Sequence, residues 1–233
     1  MEEFARMRIR DLNWMQLEDY LAEDDRIVLP VGSTEQHAYL SLETDNFIAE
    51  RLAAEAAEPL GIPVLPVLAY GVTGFTMFPG SPTLQPGTYA AVLRDILSSL
   101  HAQGFQRFFV ANGHSGNKPD AALEWAEATP GAAVIWHEVW DGRPDELAAA
   151  IDSDYDHASW SENFPWTRLD GVESPRERKP PFTRPAVNSD ASWREALGDG
   201  SFGGPYQLPD EDVLRVWNLA VEELRERLDS GWP

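Results

Sequence analysis

The chain has 233 residues, 43% of them hydrophobic and 11% aromatic, enough for a substantial core and too apolar for a disordered chain. Its 39 acidic residues against 18 basic ones leave a formal net charge of −21 at pH 7, which argues against nucleic acid and anionic membranes as partners. Cysteine is absent, so disulfides, thiolate nucleophiles and cysteine metal sites are excluded. In chain order, residues 14–23 read as a short helix with Trp14, Leu17, Tyr20 and Leu21 at helical spacing. The apolar run 26–31 reads as a strand, and 45–58 as a helix with Asp45 at its N-terminus, where a carboxylate caps the helix and meets a favourable dipole. Residues 62–68 are a strand candidate that its prolines confine to an edge or an end. After a Gly/Pro/Thr loop over 71–86, the spacing predicts a helix over 89–103, a strand over 107–111, a helix over 119–127 and a buried strand over 132–139. A helix is expected through 157–168, irregular structure over 171–205, and a last helix over 209–228 with Val213, Val216, Trp217, Ala220, Val221 and Leu224 on one face. Strands alternating with helices imply a three-layer αβα sandwich with a mainly parallel central sheet. The whole of 1–233 reads as a single domain, with 171–233 an irregular segment plus a C-terminal helix.

Cytoplasmic location is expected, because no apolar run approaches the ~20 residues needed to span a bilayer. The start Met1-Glu-Glu-Phe-Ala-Arg6 also lacks the basic and apolar segments of a secretory signal. Lys118 and Lys179 are the only lysines, every other cation being arginine. The acidic composition fits either an ordinary solvated surface or adaptation to high salt, where dense carboxylates keep a protein soluble.

The chemistry concentrates just past two strands. The first run leads into Gly32-Ser-Thr-Glu35-Gln-His37 and then Asp45; the second leads into Asn112-Gly-His114-Ser-Gly-Asn117. Loops at the carboxyl ends of parallel strands are where sites assemble in α/β proteins. On an extended segment Glu35 and His37 point the same way. Asp45, with two oxygens, could bridge two ions, and His114 would close the set. Mixed N/O donors suit zinc, manganese or iron. Two ions ~3.5–4 Å apart sharing a carboxylate and a water would activate that water against a carbonyl. Each residue alone reads as a cap or turn residue; four together, each after a strand, read as a metal site. In His157-Ala-Ser-Trp-Ser-Glu162, His157 could shuttle a proton, and Glu162 could either complete a metal shell or act as the base. Trp136, Trp140, Trp160, Trp166, Phe75 and Phe78 lie near these loops, with Trp160, Phe75 and Tyr39 the candidates for touching substrate. His137 reads as a satisfied core histidine and His101 as a surface one.

These motifs resemble the creatininase (creatinine amidohydrolase) family. Leu29-Pro-Val-Gly-Ser-Thr-Glu35-Gln-His37, Thr44-Asp45, Phe78-Pro-Gly80, Gly104-Phe105, Asn112-Gly-His114-Ser-Gly-Asn117 and His157-Ala158…Glu162 stand in that family's order. The resemblance implies an αβα sandwich with a binuclear centre of zinc, manganese or iron. It also implies hydrolysis of a C–N bond in a cyclic amide, formamide or related small molecule, and a homo-oligomer, often a hexamer. By position, Glu35, Asp45 and His114 would hold one ion, and His37 with the bridging Asp45 the other. The family's second carboxylate, two residues after the Asn-Gly-His histidine, is replaced by Gly116, so Glu162 is the candidate to complete the second ion. His157 matches the histidine that passes a proton to the leaving nitrogen. Three stretches depart from the pattern: Ala38–Leu42, Gly74–Met77 and Glu162-Asn-Phe164. Retained metal residues beside altered pocket residues imply the same chemistry on a substrate other than creatinine. The same site acting on a keto-sugar or polyol-like molecule is the alternative, with a non-catalytic small-molecule-binding member a further one. A nucleotide-binding reading lacks a Gly-rich phosphate loop.

Overall fold

The computed structural model describes residues 7–232. Residues 1–6, on which the reading of no secretory signal rests, lie outside them. Strands β1 (Arg26–Val31), β2 (Arg107–Asn112) and β3 (Ala133–Glu138) pair in parallel in the order β1-β2-β3. The register sets Arg26 beside Arg107 at one edge, and Val31, Asn112 and Glu138 side by side at the other. The three strands therefore end level, and their following loops leave from one line.

Helices α1 (Trp14–Leu21), α2 (Thr44–Ala57), α3 (Pro86–Ala102), α4 (Asp120–Ala128), α5 (Arg143–Ile151), α6 (Asp190–Leu197) and α7 (Asp210–Ser230) complete the framework. Alternate strand residues face opposite layers. Val28, Phe109 and Ala111 join Ile48, Leu52, Val216 and Trp217 under α2 and α7. Ile27, Leu29, Phe108 and Val110 meet Leu93, Leu97, Phe105 and Ala122 on the α3–α4 side. Both faces of the sheet are covered, which is why the strands read as continuous apolar runs. The αβα sandwich is the observed architecture.

Residues 62–68 run parallel beside β1, where Val64 bridges to Val28 and Leu68 to Val31. Pro63 and Pro66 lack the N–H donors a full ladder needs, so only isolated bridges form. The helix expected over 157–168 is a single 3-10 turn, Trp160–Glu162. Ala158 stands at φ 57°, outside helical backbone, and Pro165 cannot continue a helix. Helix α5 was not expected, although Pro144, Asp145 and Glu146 in its first turn are ordinary N-terminal residues. Helix α6 likewise interrupts the stretch expected to be irregular, with Ser189 Oγ accepting from Ser192 N at 3.2 Å as its cap.

A ladder of flat groups crosses the α2–α7 layer. The Arg51 guanidinium lies 3.7 Å over Trp166. Trp166 stacks on Phe164 at 4.9 Å and 1°, and Phe164 on Trp140 at 5.9 Å and 6°. Trp217 meets Trp166 edge-on at 4.8 Å and 68°. No helix among the described residues is long and apolar enough to cross a membrane.

Candidate metal centre

The loop after β1 carries Glu35 and His37, the first turn of α2 carries Asp45, the loop after β2 carries His114, and the 157–162 segment brings His157 and Glu162. All six side chains meet at the carboxyl edge of the sheet. Asp45 is the hinge of the arrangement. Its Oδ1 lies 3.0 Å from His37 Nε2 and its Oδ2 3.0 Å from His114 Nδ1. His37 Nε2 is also 3.7 Å from Glu162 Oε2, and His114 Nδ1 is 3.5 Å from Glu35 Oε1. Three overlapping donor sets result, Glu35–Asp45–His114, His37–Asp45–Glu162 and Glu35–His37–His157, the first two sharing the Asp45 carboxylate. Asp45 spends its side chain on these contacts and not on capping; the N-cap of α2 is Glu43.

Hydrogen bonds set which nitrogen of each ring faces inward. His37 Nδ1 lies 3.1 Å from the Glu35 carbonyl and His114 Nε2 3.0 Å from the Val72 carbonyl. A carbonyl only accepts, so those nitrogens carry a proton and the opposite ones face the centre, where a cation would displace any proton they hold. Glu35 Oε2 is buried with no hydrogen-bond partner, and His37 Nε2 and Asp45 Oδ2 meet only other members of the cluster. Orphaned buried acceptors cost free energy unless something electropositive meets them. The donor set therefore fits divalent cations.

The protonation pattern agrees. Burial presses the imidazolium form of His37 down, but Asp45, Glu162 and Glu35 outweigh it and hold its pKa at about 10. His114 is held at about 9 against the same burial by Asp45 and Glu35. Burial also opposes the ionised form of Asp45, yet the two histidines keep it well below the usual carboxylate range. Glu162 is pushed up to about 7, mainly by burial. Glu35 is raised by burial and by Asp45. In effect, protons occupy positions that cations would take.

Gly116 stands where the family places a second carboxylate, and the backbone forbids one. A Cβ there would clash with the Val72 carbonyl and with His114 Nε2. The second donor set is completed from the other side, by Glu162. Ala38, directly after His37, sits at φ 51°, left-handed backbone that glycine adopts without penalty.

His157 Nε2 lies 2.9 Å from the Gln36 carbonyl and 2.7 Å from Gln36 Nε2, so backbone and side chain of Gln36 both hold the ring, with Nδ1 3.7 Å from Glu35 Oε1. Burial and the neighbouring His37 depress its pKa well below the ordinary value, so the ring is neutral. Phe75 stacks on it at 4.7 Å and 26°, and Phe202 flanks it at 5.2 Å. A cleft of about 390 Å³ opens above the cluster, lined by Phe75, Trp140, Tyr155, Phe202, Ser115 and Ser161 among others. Phe75 thus stands at the cleft as expected. Trp160 does not: it is fully buried, packed edge-on to Tyr155 within the core. Tyr39 is also elsewhere, set against Tyr206 on a separate groove. Trp140, Tyr155 and Phe202 take the wall positions instead. Trp140 follows β3 and could have been chosen on that ground; Phe202 arrives through long-range pairing, its N–H donating to the His157 carbonyl at 3.1 Å. His137 is a core histidine, its Nδ1 accepting from Arg227 at 2.6 Å, with a pKa of about 4 from burial and that arginine.

The αβα sandwich is also the fold of solved creatininases. A creatinine amidohydrolase (creatininase) superposes with a TM-score of 0.82 at 21% identity, over 98% of this chain and 99% of that one. A creatininase described with manganese gives 0.82 at 20%, over 97% and 99%. A putative creatinine amidohydrolase from Bacteroides fragilis gives 0.73 at 23%, over 95% and 94%. The sequence profile of the creatininase family, described as creatinine amidohydrolase, matches residues 10–228, and the chain belongs to that family. Mycofactocin precursor peptide peptidase of Mycolicibacterium smegmatis is 39% identical over 100 residues, 39% of this chain and 40% of that protein. The 3-dehydro-scyllo-inosose hydrolase of Thermotoga maritima is 26% identical over 145 residues, 60% of this chain and 47% of that protein. The match therefore spans less than half the length of each of these two relatives. The family name and both relatives' names are those of hydrolases.

Proposed function

We propose that this chain is a metal-dependent hydrolase of a C–N bond in a small amide-type molecule, holding two divalent ions of the zinc, manganese or iron class. The observation that carries this reading is Asp45, whose two oxygens each lie 3.0 Å from a different histidine. Glu35 and His114 would hold one ion, His37 and Glu162 the other, with Asp45 shared. When bound, such a pair polarises a scissile carbonyl and lowers the pKa of a coordinated water. The remaining work belongs to the chain. His157, neutral and aimed at Glu35, can take up the proton released in the attack and hand it to the leaving nitrogen. Phe75, Trp140, Tyr155 and Phe202 give flat apolar walls, and the cleft's lining includes no lysine or arginine, which suits an uncharged planar group. A cytoplasmic homo-oligomer, a hexamer by family resemblance, completes the reading.

The test is a substrate panel run on protein whose metal content has been measured by elemental analysis. Cyclic amides and formamides form one arm, a short peptide amide another, and a cyclic keto-polyol a third, the last two chosen from the relatives' names. About two ions per chain and turnover in the first arm are expected. Turnover confined to the keto-polyol would shift the assignment to the alternative substrate class. Failure to bind metal under reconstitution would overturn the hydrolase reading.

A further inference from the structure

Only two of the chain's cations are lysines, and Lys179 is built into the interior side of a loop that touches the candidate site. Its Nζ donates to the Leu197 carbonyl at 2.6 Å, the Ser201 carbonyl at 2.7 Å and Asp199 Oδ1 at 2.5 Å. All three ammonium protons are used, and the side chain is 17% exposed. Arginine would not substitute: its planar fork cannot meet three oxygens converging on a point as an ammonium does.

The loop has a few bonds of its own, Gly200 N to Leu197 O at 3.1 Å, Ser201 N to Asp199 Oδ1 at 3.2 Å and Gly203 N to Ser201 Oγ at 3.2 Å, on a glycine-rich backbone. Gly198, Gly200, Gly203 and Gly204 all have positive φ, at 62°, 108°, 135° and 86°. Glycine loses the most conformational freedom on ordering, so such a stretch needs external ties. Lys179 supplies them through its side chain and through paired backbone bonds, N–H to Gly204 O at 3.0 Å and O from Gly204 N at 2.9 Å. The loop's outward contacts then converge on one residue. The Gly200 carbonyl accepts from Gln36 Nε2 at 3.0 Å, and Gln36 is the residue whose own carbonyl orients His157. Phe202 N donates to the His157 carbonyl, and the Phe202 ring closes one side of the imidazole.

We propose that Lys179 is a positioning residue: its ammonium clamps the 197–204 loop so that Gln36 and Phe202 hold the His157 ring with Nδ1 turned toward the centre. The role rests on the hydrolase reading only in its kinetic consequence. The ring geometry itself can be read without turnover.

The experiment uses zinc-loaded protein labelled with ¹⁵N-histidine, recording downfield imidazole N–H signals. The His157 ring N–H signal, on whichever nitrogen carries the proton, is assigned by its loss in His157→Gln. In Lys179→Met that signal is expected to shift or exchange away, while the His37 and His114 signals and the zinc content stay as in the wild type. On a substrate found in the panel above, kcat is expected to fall about tenfold or more, since a small misplacement of a working group is costly. An unchanged His157 signal in folded Lys179→Met overturns the proposal. Should that variant fail to fold, Asp199→Asn retains the shape but weakens the clamp; a smaller shift in the same direction supports the role, and none overturns it. If wild-type protein turns over nothing, the hydrolase reading fails, yet the N–H signal still decides the clamp.

Discussion

The two edges of the same three strands use charge in opposite ways. At the amino edge Arg26 and Arg107 stand side by side, and Asp24 and Asp25 answer them: Arg26 Nε lies 2.8 Å from Asp24 Oδ2, Arg107 Nη2 2.9 Å from Asp24 Oδ1, and Arg107 also meets Asp25. Cations and anions balance, and the edge is closed. At the carboxyl edge three carboxylates and three imidazoles gather with buried atoms left unpartnered. A structural ion cluster satisfies itself; a binding site is a cluster that does not.

Removing the hinge should break the contrast most severely. Asp45→Ala takes one donor from both sets at once, so metal content is expected to fall from about two ions per chain to nearly none, with activity lost by about a thousandfold or more. Elemental analysis on the folded variant checks it. One full ion retained would show that the carboxylate is not shared.

A milder probe is pH. His37 and His114, at about 10 and 9 in the ion-free centre, must lose protons to bind metal, and Glu162 at about 7 must do so as well below neutrality. Metal affinity should therefore rise steadily as pH increases from 6 to 9, with protons released. Calorimetry in buffers of differing ionisation enthalpy measures that release, and metal binding with no proton release would contradict the assigned protonation.

The smallest effect belongs to the closed edge. Burial raises the pKa of Asp24, but its hydrogen bonds to Arg26 outweigh that and hold it below the ordinary value. Its folded pKa being depressed, the stabilisation is full above pH ~4 and fades as pH falls through the folded value. Asp24→Asn should cost about 1 kcal/mol at neutral pH, less in acid, because the pair is partly exposed and screened. Urea unfolding measures it, and metal content should not move. A loss of metal would mean the two edges are coupled through the sheet.

How much of this was legible depended on whether a residue's partners lie nearby in sequence. The runs 26–31 and 107–111 announce strands, and Glu35, His37, Asp45 and His114 follow them closely enough for position to imply convergence. His157 and Glu162 were legible only through resemblance, because their own stretch suggests a helix. What prevents one is a left-handed Ala158 whose N–H goes to Glu162 Oε2 at 2.7 Å, a bond that no spacing rule signals. Trp160 was a candidate because it lies between His157 and Glu162 in sequence, yet on the 3-10 turn it is buried in the core. Phe202 and Lys179 lie 45 and 22 residues from His157, and their bearing on it exists only after the chain has folded.

The flat groups running from Arg51 through Trp166 and Phe164 to Trp140 have an optical consequence. Trp166 and Trp217 lie close enough, and at a large enough angle, for their strong excited states to mix, which is expected to yield a pair of opposite-signed bands in far-ultraviolet circular dichroism. Trp140 ends this stack on the wall of the cleft. Whatever enters the cleft perturbs a chromophore in contact with the others, so the molecule carries an intrinsic, label-free gauge of its own occupancy.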